Sequence, residues 1–243
     1  MGDLGHQEGV RLAVVSLVLG DNFKAMAKVT HPTMRAYADR IGAEFVVIGD
    51  QKLSALPYFE KFRIGGLLDE FDRILFLDTD TIVRHDCPSL FGVVPQDKLG
   101  MYGEGFMASP EEQKVHAGIL GAALREYYGK GLPASWKNEF YNTGVVVASR
   151  CHKGLFRPPE KEVRIEYWDQ ALLNARLVME GVAVHDIGYL FNRMYYVDKV
   201  VKYHRLHSYI VHYAGIPNFL GTAKRDLEIW KVCQRLPNAL QTI

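Results

Sequence analysis

The chain has few cysteines, almost no net charge and no long apolar run. Cys87, Cys151 and Cys233 are widely spaced and form no C-x-x-C pair. That argues against a disulfide framework and a structural zinc site, and makes a reducing compartment, the cytoplasm, the expected location. Lys and Arg number 29 against 28 Asp and Glu, a formal charge of +1, so no basic field directs the chain to nucleic acid. The apolar stretch at 13–19 is interrupted by Ser16 and falls far short of the ~20 residues that cross a bilayer. The opening MGDLGHQEGV has no apolar core and does not read as a signal peptide. Peripheral membrane contact stays open, because residues 224–240 mix basic side chains with Leu227, Ile229, Trp230, Val232 and Leu236. A packed terminal helix is the favoured reading of that segment. No internal repeat, low-complexity tract or linker is evident, and Pro158-Pro159 marks a loop inside a domain.

What is present suits one soluble α/β domain: 243 residues, 48% hydrophobic and 23% charged. Residues 10–19 read as a strand buried on both faces and bounded by Gly20-Asp21. Met34, Tyr37, Ala38 and Ile41 fall at helical spacing before Gly42, a natural stop. Residues 44–48 (EFVVI) predict a second strand, 59–71 a second helix and 73–77 (RILFL) a third strand. This β-α-β-α-β alternation implies a mostly parallel sheet with helices on both faces. Further on, strands are expected at 98–102, 144–148, 182–185 and 208–212, and partial helix at 111–128. Residues 168–180 carry the clearest helical stripe, with Trp168, Ala171, Leu172, Ala175, Val178 and Met179 at steps of three and four.

Strand RILFL runs directly into Asp78-Thr79-Asp80. In an open parallel sheet, ligands sit beyond the carboxyl ends of the strands. Two carboxylates one residue apart can hold a hard divalent cation such as Mn²⁺ or Mg²⁺, which prefers oxygen ligands and keeps positions open for phosphates. The plainer alternative is a pair of turn carboxylates.

Residues 58–83, YFEKFRIGGLLDEFDRILFLDTDTIV, resemble the donor-site segment of GT-A glycosyltransferases. They are most similar to glycosyltransferase family 8, the family of glycogenin and the bacterial lipopolysaccharide galactosyltransferases. Three more motifs follow in the family's order: Tyr141-Asn142-Thr143-Gly144 on a strand, the helix start WDQALLN at 168–174, and His212-Tyr213-Ala214-Gly215. The resemblance implies a single GT-A domain, Rossmann-like, with a mixed, mostly parallel central sheet. Residues 10–100 would form the nucleotide-binding half, 101–220 the sugar and acceptor half, and 221–243 a C-terminal helix.

The resemblance further implies Mn²⁺ or Mg²⁺ held by Asp78, Asp80 and His212 across the donor diphosphate, where it stabilises charge building on the leaving group. A strand histidine with a satisfied hydrogen bond is the plainer reading of His212. Lys61, 17 positions before Asp78, stands where the family has an arginine that reaches the diphosphate, and keeps the charge without the fork. Ser16, Val18, Asp21 and Asn22 would meet the nucleoside, Thr79 and Gly215 would line the donor, and turn chemistry is the alternative for the first four. Asn142 would face the sugar, donating to and accepting from its hydroxyls, or make an Asx turn. Asp169 and Gln170 would take donor-sugar and catalytic-face roles, although an acidic residue in a first turn also suits the helix dipole.

The chain departs from the family after His212. The run HYAGIPNFLGTAK lacks the family's K-P-W tail, with Asn218 near the lysine position and Lys224 as the available substitute. Expected partners are a UDP-sugar, or next a GDP-sugar, an acceptor that is carbohydrate, lipid-linked or protein, and a second copy of the chain in a homodimer. Retention is expected. Inversion would need Asp169 as base. Residues 103–135 are placed as an acceptor-side loop or lid. Rival readings are a nucleotidyltransferase, disfavoured because 20–23 is neither Gly-rich nor basic, a non-catalytic nucleotide-sugar-binding module, and a partner-binding domain.

Overall fold

The computed structural model describes residues 9–216 and 218–234. Residues 235–243 of the expected C-terminal helix, Leu236 among them, lie outside the described residues, as do the side chains of Phe106 and residues 232–234. The chain runs β1 (Leu12–Leu17), α1 (Asp21–Ile41), β2 (Glu44–Ile48), a 3₁₀ segment Pro57–Arg63, α2 (Ile64–Leu67), β3 (Arg73–Leu77), β4 (Thr81–Val83), α3 (Leu90–Val93) and β5 (Leu99–Gly103). It continues through α4 (Pro110–Tyr128), β6 (Tyr141–Ser149), α5 (Trp168–Glu180), β7 (Val184–Asp186), β8 (Ile210–His212) and α6 (Phe219–Gln234). No helix among the described residues is long and apolar enough to cross a membrane.

Six strands form the central sheet in the order β2-β1-β3-β6-β5-β7, and β4 and β8 pair separately. All neighbours in the large sheet are parallel except those of β6, which runs antiparallel to both β3 and β5. The reversal has a functional consequence. The amino end of β6 meets the carboxyl end of β3, with Leu77 opposite Val145. Asn142 and Thr143 therefore project past the edge where Asp78 emerges.

Helix α1 ends at Gly42 in the left-handed conformation (φ 70°), as its stop signal predicts. Helix α5 is more deeply buried than a single stripe requires. Ala171 and Ala175 pack with Ile119, Leu120, Ala123 and Leu124 of α4, while Leu172, Leu173 and Leu177 join the core under the sheet. Met179 stays 38% exposed.

Two expectations are corrected. Residues 59–71 are not one helix but a 3₁₀ turn followed by the single turn α2. Phe59, Glu60, Lys61 and Phe62 are all buried, so no solvent-facing side remains for a regular amphipathic helix. A Cβ on Gly65 would sit 2.7 Å from the Phe156 carbonyl oxygen, so this turn packs backbone against backbone. Residues 103–135 are not mainly a loop, because α4 occupies 110–128 behind a capping box of Ser109 and Glu112.

Candidate active site

A cavity of about 950 Å³ opens at the carboxyl edge of the sheet. One wall begins with Asp78-Thr79-Asp80, a loop fixed from four directions. The Asp78 N–H donates to the Gly144 carbonyl at 2.8 Å, and the Thr79 carbonyl accepts from the Thr30 hydroxyl at 2.7 Å. The Thr79 hydroxyl donates to the Leu17 carbonyl. The Asp80 carbonyl accepts from the Tyr213 N–H at 2.9 Å. Strands β4 and β8 then pair Thr81 with His212, which brings the histidine across more than a hundred residues to the loop.

The ligand atoms of Asp78, Asp80 and His212 lie within 4.8 Å of one another. His212 Nε2 stands 3.2 Å from Asp80 Oδ1 and 3.8 Å from Asp78 Oδ2. The side chain of His212 is 3% exposed, whereas those of Asp78 and Asp80 are 30% and 24% exposed, so the carboxylates open to the cavity and the imidazole closes its back. Two oxygen ligands and one imidazole fit a Mn²⁺- or Mg²⁺-sized ion with positions left for phosphate. A Cβ on Gly144 would lie 2.2 Å from His212 Cε1, so the glycine of the N-T-G motif makes room for the ring.

Burial would lower the His212 pKa, but the Asp80 and Asp78 carboxylates outweigh it and leave it raised. Burial likewise opposes ionisation of Asp80, yet His212 holds its pKa below the ordinary range. For Asp78, burial wins over Lys61 and His212 and the pKa is raised.

Lys61 comes up from the 3₁₀ segment as the second cation. Its ammonium lies 2.8 Å from Asp169 Oδ2 and 3.2 Å from Asp78 Oδ1, and donates to the Thr143 carbonyl and hydroxyl at 3.1 Å each. Burial alone would depress it, and the two carboxylates leave it raised. The Thr143 hydroxyl donates to Asp169 Oδ2 at 3.0 Å. Asp169 thus binds a cation and a hydroxyl instead of capping α5, whose cap residue Tyr167 makes no side-chain bond to it. Tyr167 and Trp168 hold φ of 62° and 35°, an uncommon pair of left-handed residues that delivers Asp169 and Gln170 to the cavity.

The opposite wall is made of amides. Asn142 Nδ2 donates to Glu104 Oε1 at 2.7 Å and to Gln170 Oε1 at 3.3 Å, and Gln170 Nε2 reaches Glu104 Oε1 at 3.5 Å. On the rim, Tyr58 stacks on Trp168 with centroids 5.7 Å apart.

Lys61, Asp78, Thr79, Asp80, Asn142, Asp169, Gln170, His212 and Gly215 all line the cavity. Ser16, Val18, Asp21 and Lys224 do not, which corrects their expected placement. Ser16 is fully buried and donates to the Leu77 carbonyl at 2.9 Å. Val18 continues the sheet ladder through a 2.9 Å bond to the Ile48 carbonyl. Asp21 is turned to solvent, 95% exposed beside Lys24. Lys224 sits exposed on α6. At that end of the cavity Leu17, Leu19, Phe23 and Met26 are the lining residues instead.

The family model described as "Glycosyl transferase family 8" matches residues 49–218. The chain belongs to glycosyltransferase family 8. No curated protein matches the sequence. Among solved structures it is similar to the galactosyltransferase LgtC in complex with donor and acceptor sugar analogues, at 16% identity and TM-score 0.59 over 94% of this chain and 99% of that one. A glycosyltransferase involved in glycosylation of the major capsid of PBCV-1 is similar at 15% identity and TM-score 0.53, over 90% and 99%. Mouse xyloside xylosyltransferase 1 is similar at 14% identity and TM-score 0.51, over 86% and 100%. At these identities the likeness is one of fold, and the fold is GT-A.

Several residues at or beside this cavity were not expected from the sequence, Glu104, Phe23 and Asn192 among them. Glu104 follows β5 at the same edge of the sheet as Asp78, so its place past a parallel strand was a usable signal. Phe23 stands two residues beyond Asp21. Asn192 lies between two 3₁₀ turns and carries no periodic or motif signal.

Proposed function

We propose that this family 8 transferase moves a hexose from a nucleotide-diphosphate sugar, UDP-linked before GDP-linked, to an acceptor hydroxyl with retention, and that it requires Mn²⁺ or Mg²⁺ at Asp78, Asp80 and His212. The observation that carries the reading is the convergence of those three ligand atoms within 4.8 Å on a cavity also lined by the buried ammonium of Lys61. When bound, the ion supplies positive charge where the diphosphate leaves. Lys61 adds a second, fixed positive charge beside it, where a developing anion gains most from a preorganised group. Gln170 offers amide donor and acceptor capacity to sugar hydroxyls, and Asn142, bonded to Gln170 and Glu104, holds that side of the cavity in place. Residues 10–100 serve the nucleotide and 101–220 the sugar and acceptor.

Retention follows the family resemblance. Asp169 Oδ2 is held by the Lys61 ammonium at 2.8 Å and the Thr143 hydroxyl at 3.0 Å, so an inverting reaction would have to use its other oxygen, Oδ1, as the general base. The stacked Tyr58–Trp168 rim gives a ring face of the kind that sugar C–H groups pack against, in keeping with a carbohydrate acceptor.

The test is nucleotide release from UDP-glucose, UDP-galactose, UDP-N-acetylglucosamine and GDP-mannose, each with Mn²⁺ and with EDTA. Slow release from one donor, lost in EDTA, is the expected result and names the donor. Binding without turnover would make the chain a nucleotide-sugar-binding module. Neither release nor binding would overturn the reading.

A further inference from the structure

We propose that Asn192 is the positioning residue that fixes the ring orientation and tautomer of His212, and that the backbone of Gly144 sets Asn192 in turn through Asn142. The inference rests on the metal-site reading above.

The Gly144 amide hydrogen cannot be turned, because the peptide plane fixes it. The Gly144 N–H donates to Asn142 Oδ1 at 2.8 Å, so the oxygen of that amide faces Gly144 and its NH₂ faces Glu104 and Gln170, where acceptors wait at 2.7 and 3.3 Å. The same Asn142 Oδ1 accepts from Asn192 Nδ2 at 2.9 Å. With its NH₂ committed there, Asn192 must present Oδ1 to its other neighbour, His212 Nδ1, at 2.9 Å. An amide oxygen only accepts. Nδ1 therefore carries the hydrogen, and Nε2 is the nitrogen turned to Asp80 and Asp78. A ligating histidine needs this arrangement, one nitrogen bonded outward and the other aimed at the ion.

The reverse amide orientation shows how much depends on the chain of bonds. A flipped Asn192 would set its oxygen against Asn142 Oδ1, two acceptors face to face. It would aim NH₂ at Nδ1, which puts the ring hydrogen on Nε2 and points it into the metal position. Asn192 and His212 are 0% and 3% exposed, so water does not compete for these bonds. The segment is also tethered independently. The Arg193 N–H donates to the Ile210 carbonyl at 3.0 Å, the His212 N–H donates to the Arg193 carbonyl at 2.9 Å, and the buried Arg193 pairs with Asp198 at 2.9 Å.

Mn²⁺ affinity, by calorimetry and by the spectrum of free Mn²⁺, should be compared in wild type, Asn192→Ala and Asn192→Asp, with melting curves to establish folding. Asn192→Ala is expected to bind Mn²⁺ about 10- to 100-fold more weakly. Asn192→Asp keeps an acceptor facing Nδ1 but sets its other oxygen against Asn142 Oδ1, so it should bind Mn²⁺ more tightly than the alanine variant and less tightly than wild type. Nitrogen NMR of His212 in the diamagnetic Mg²⁺-loaded wild type should show the Nδ1–H tautomer, and this readout stands even where a variant fails to fold. A folded alanine variant with wild-type affinity, an aspartate variant no better than alanine, or an Nε2–H tautomer overturns the inference while leaving the metal site in place. Wild type that binds neither ion overturns both.

Discussion

The two walls of the cavity are built on opposite principles. One is ionic: Lys61 and His212 face Asp78, Asp80 and Asp169 at 2.8–3.8 Å, and its balance shifts with protonation or a bound cation. The other is neutral except for Glu104: Asn142 and Gln170 line the cavity, and the buried Asn174 and Asn192 bond to them and to backbone. Asn174 takes the Tyr141 N–H on its oxygen and gives its NH₂ to the Tyr141 and Gln170 carbonyls, each at 2.8–2.9 Å, which ties the start of β6 to α5. Amides do not ionise, so this wall keeps its shape while the other changes charge. The contrast teaches a division of labour. Charged groups open to the cavity are held by neutral groups whose direction the backbone dictates.

The strongest way to break the contrast is to remove a charge from the ionic wall. Asp80→Ala should lose Mn²⁺-dependent donor release to background while melting as a folded protein. Unchanged release in a folded variant would remove Asp80 from the metal site. Lys61→Met strands Asp169, 11% exposed, opposite Asp78, 30% exposed. Stripping a buried partner costs roughly 3 kcal/mol, the lower end of the range because Asp78 keeps some water. Chemical denaturation reads this, and weaker donor binding should accompany it. On the neutral side, Gly144→Ala places a methyl where His212 Cε1 now stands, 2.2 Å from the new Cβ. Overpacking of this kind costs about 1–3 kcal/mol, and Mn²⁺ affinity should fall with it. A variant with unchanged affinity would mean that the ring can shift without cost.

The smallest effect comes from pH, and its sign follows from His212. Its pKa is raised in the folded chain above the ordinary 6.5. The ion pair with Asp80 therefore contributes its full stability below about pH 6.5 and loses it as pH rises through the raised value. The metal-free protein should melt lower across that interval. Mn²⁺ displaces the Nε2 proton, so its affinity should rise by up to about tenfold per pH unit until the histidine is neutral. Melts at stepped pH with EDTA and with Mn²⁺ check both trends.

The legible parts of the fold are those whose signal is local. Strands β1, β2 and β3 were readable as short apolar runs, and the end of α1 as a glycine after a helical stripe. Asp78 and Asp80 were readable because they follow a buried strand by one and three residues. Residues 59–71 read as one helix, and the structure instead gives a 3₁₀ segment and the single turn α2. In the structure the Glu60 carboxylate accepts the N–H groups of Lys52, Leu53 and Ser54 at 3.0, 2.5 and 2.9 Å, and Lys61 turns into the cavity. Both polar side chains point inward because distant partners await them. Ser16 shows the opposite case: a polar residue near the end of β1 reads as ligand-facing, and its hydroxyl instead donates to Leu77 of the neighbouring strand.

The sequence by itself determined the α/β alternation, the site at the carboxyl end of β3 and family 8 membership, because side-chain periodicity and short motifs depend on residues a few positions apart. Tertiary structure decided the rest. The reversed β6 laid Asn142 and Thr143 against Asp78, the β4–β8 pairing carried His212 to Asp80, and the return of residues 192–193 beside β8 set Asn192 behind the histidine. The first two kinds of contact join groups 64 to 132 residues apart, and in the last 20 residues separate the pair. Their distance is fixed by packing and strand register, which no local pattern of residue types encodes.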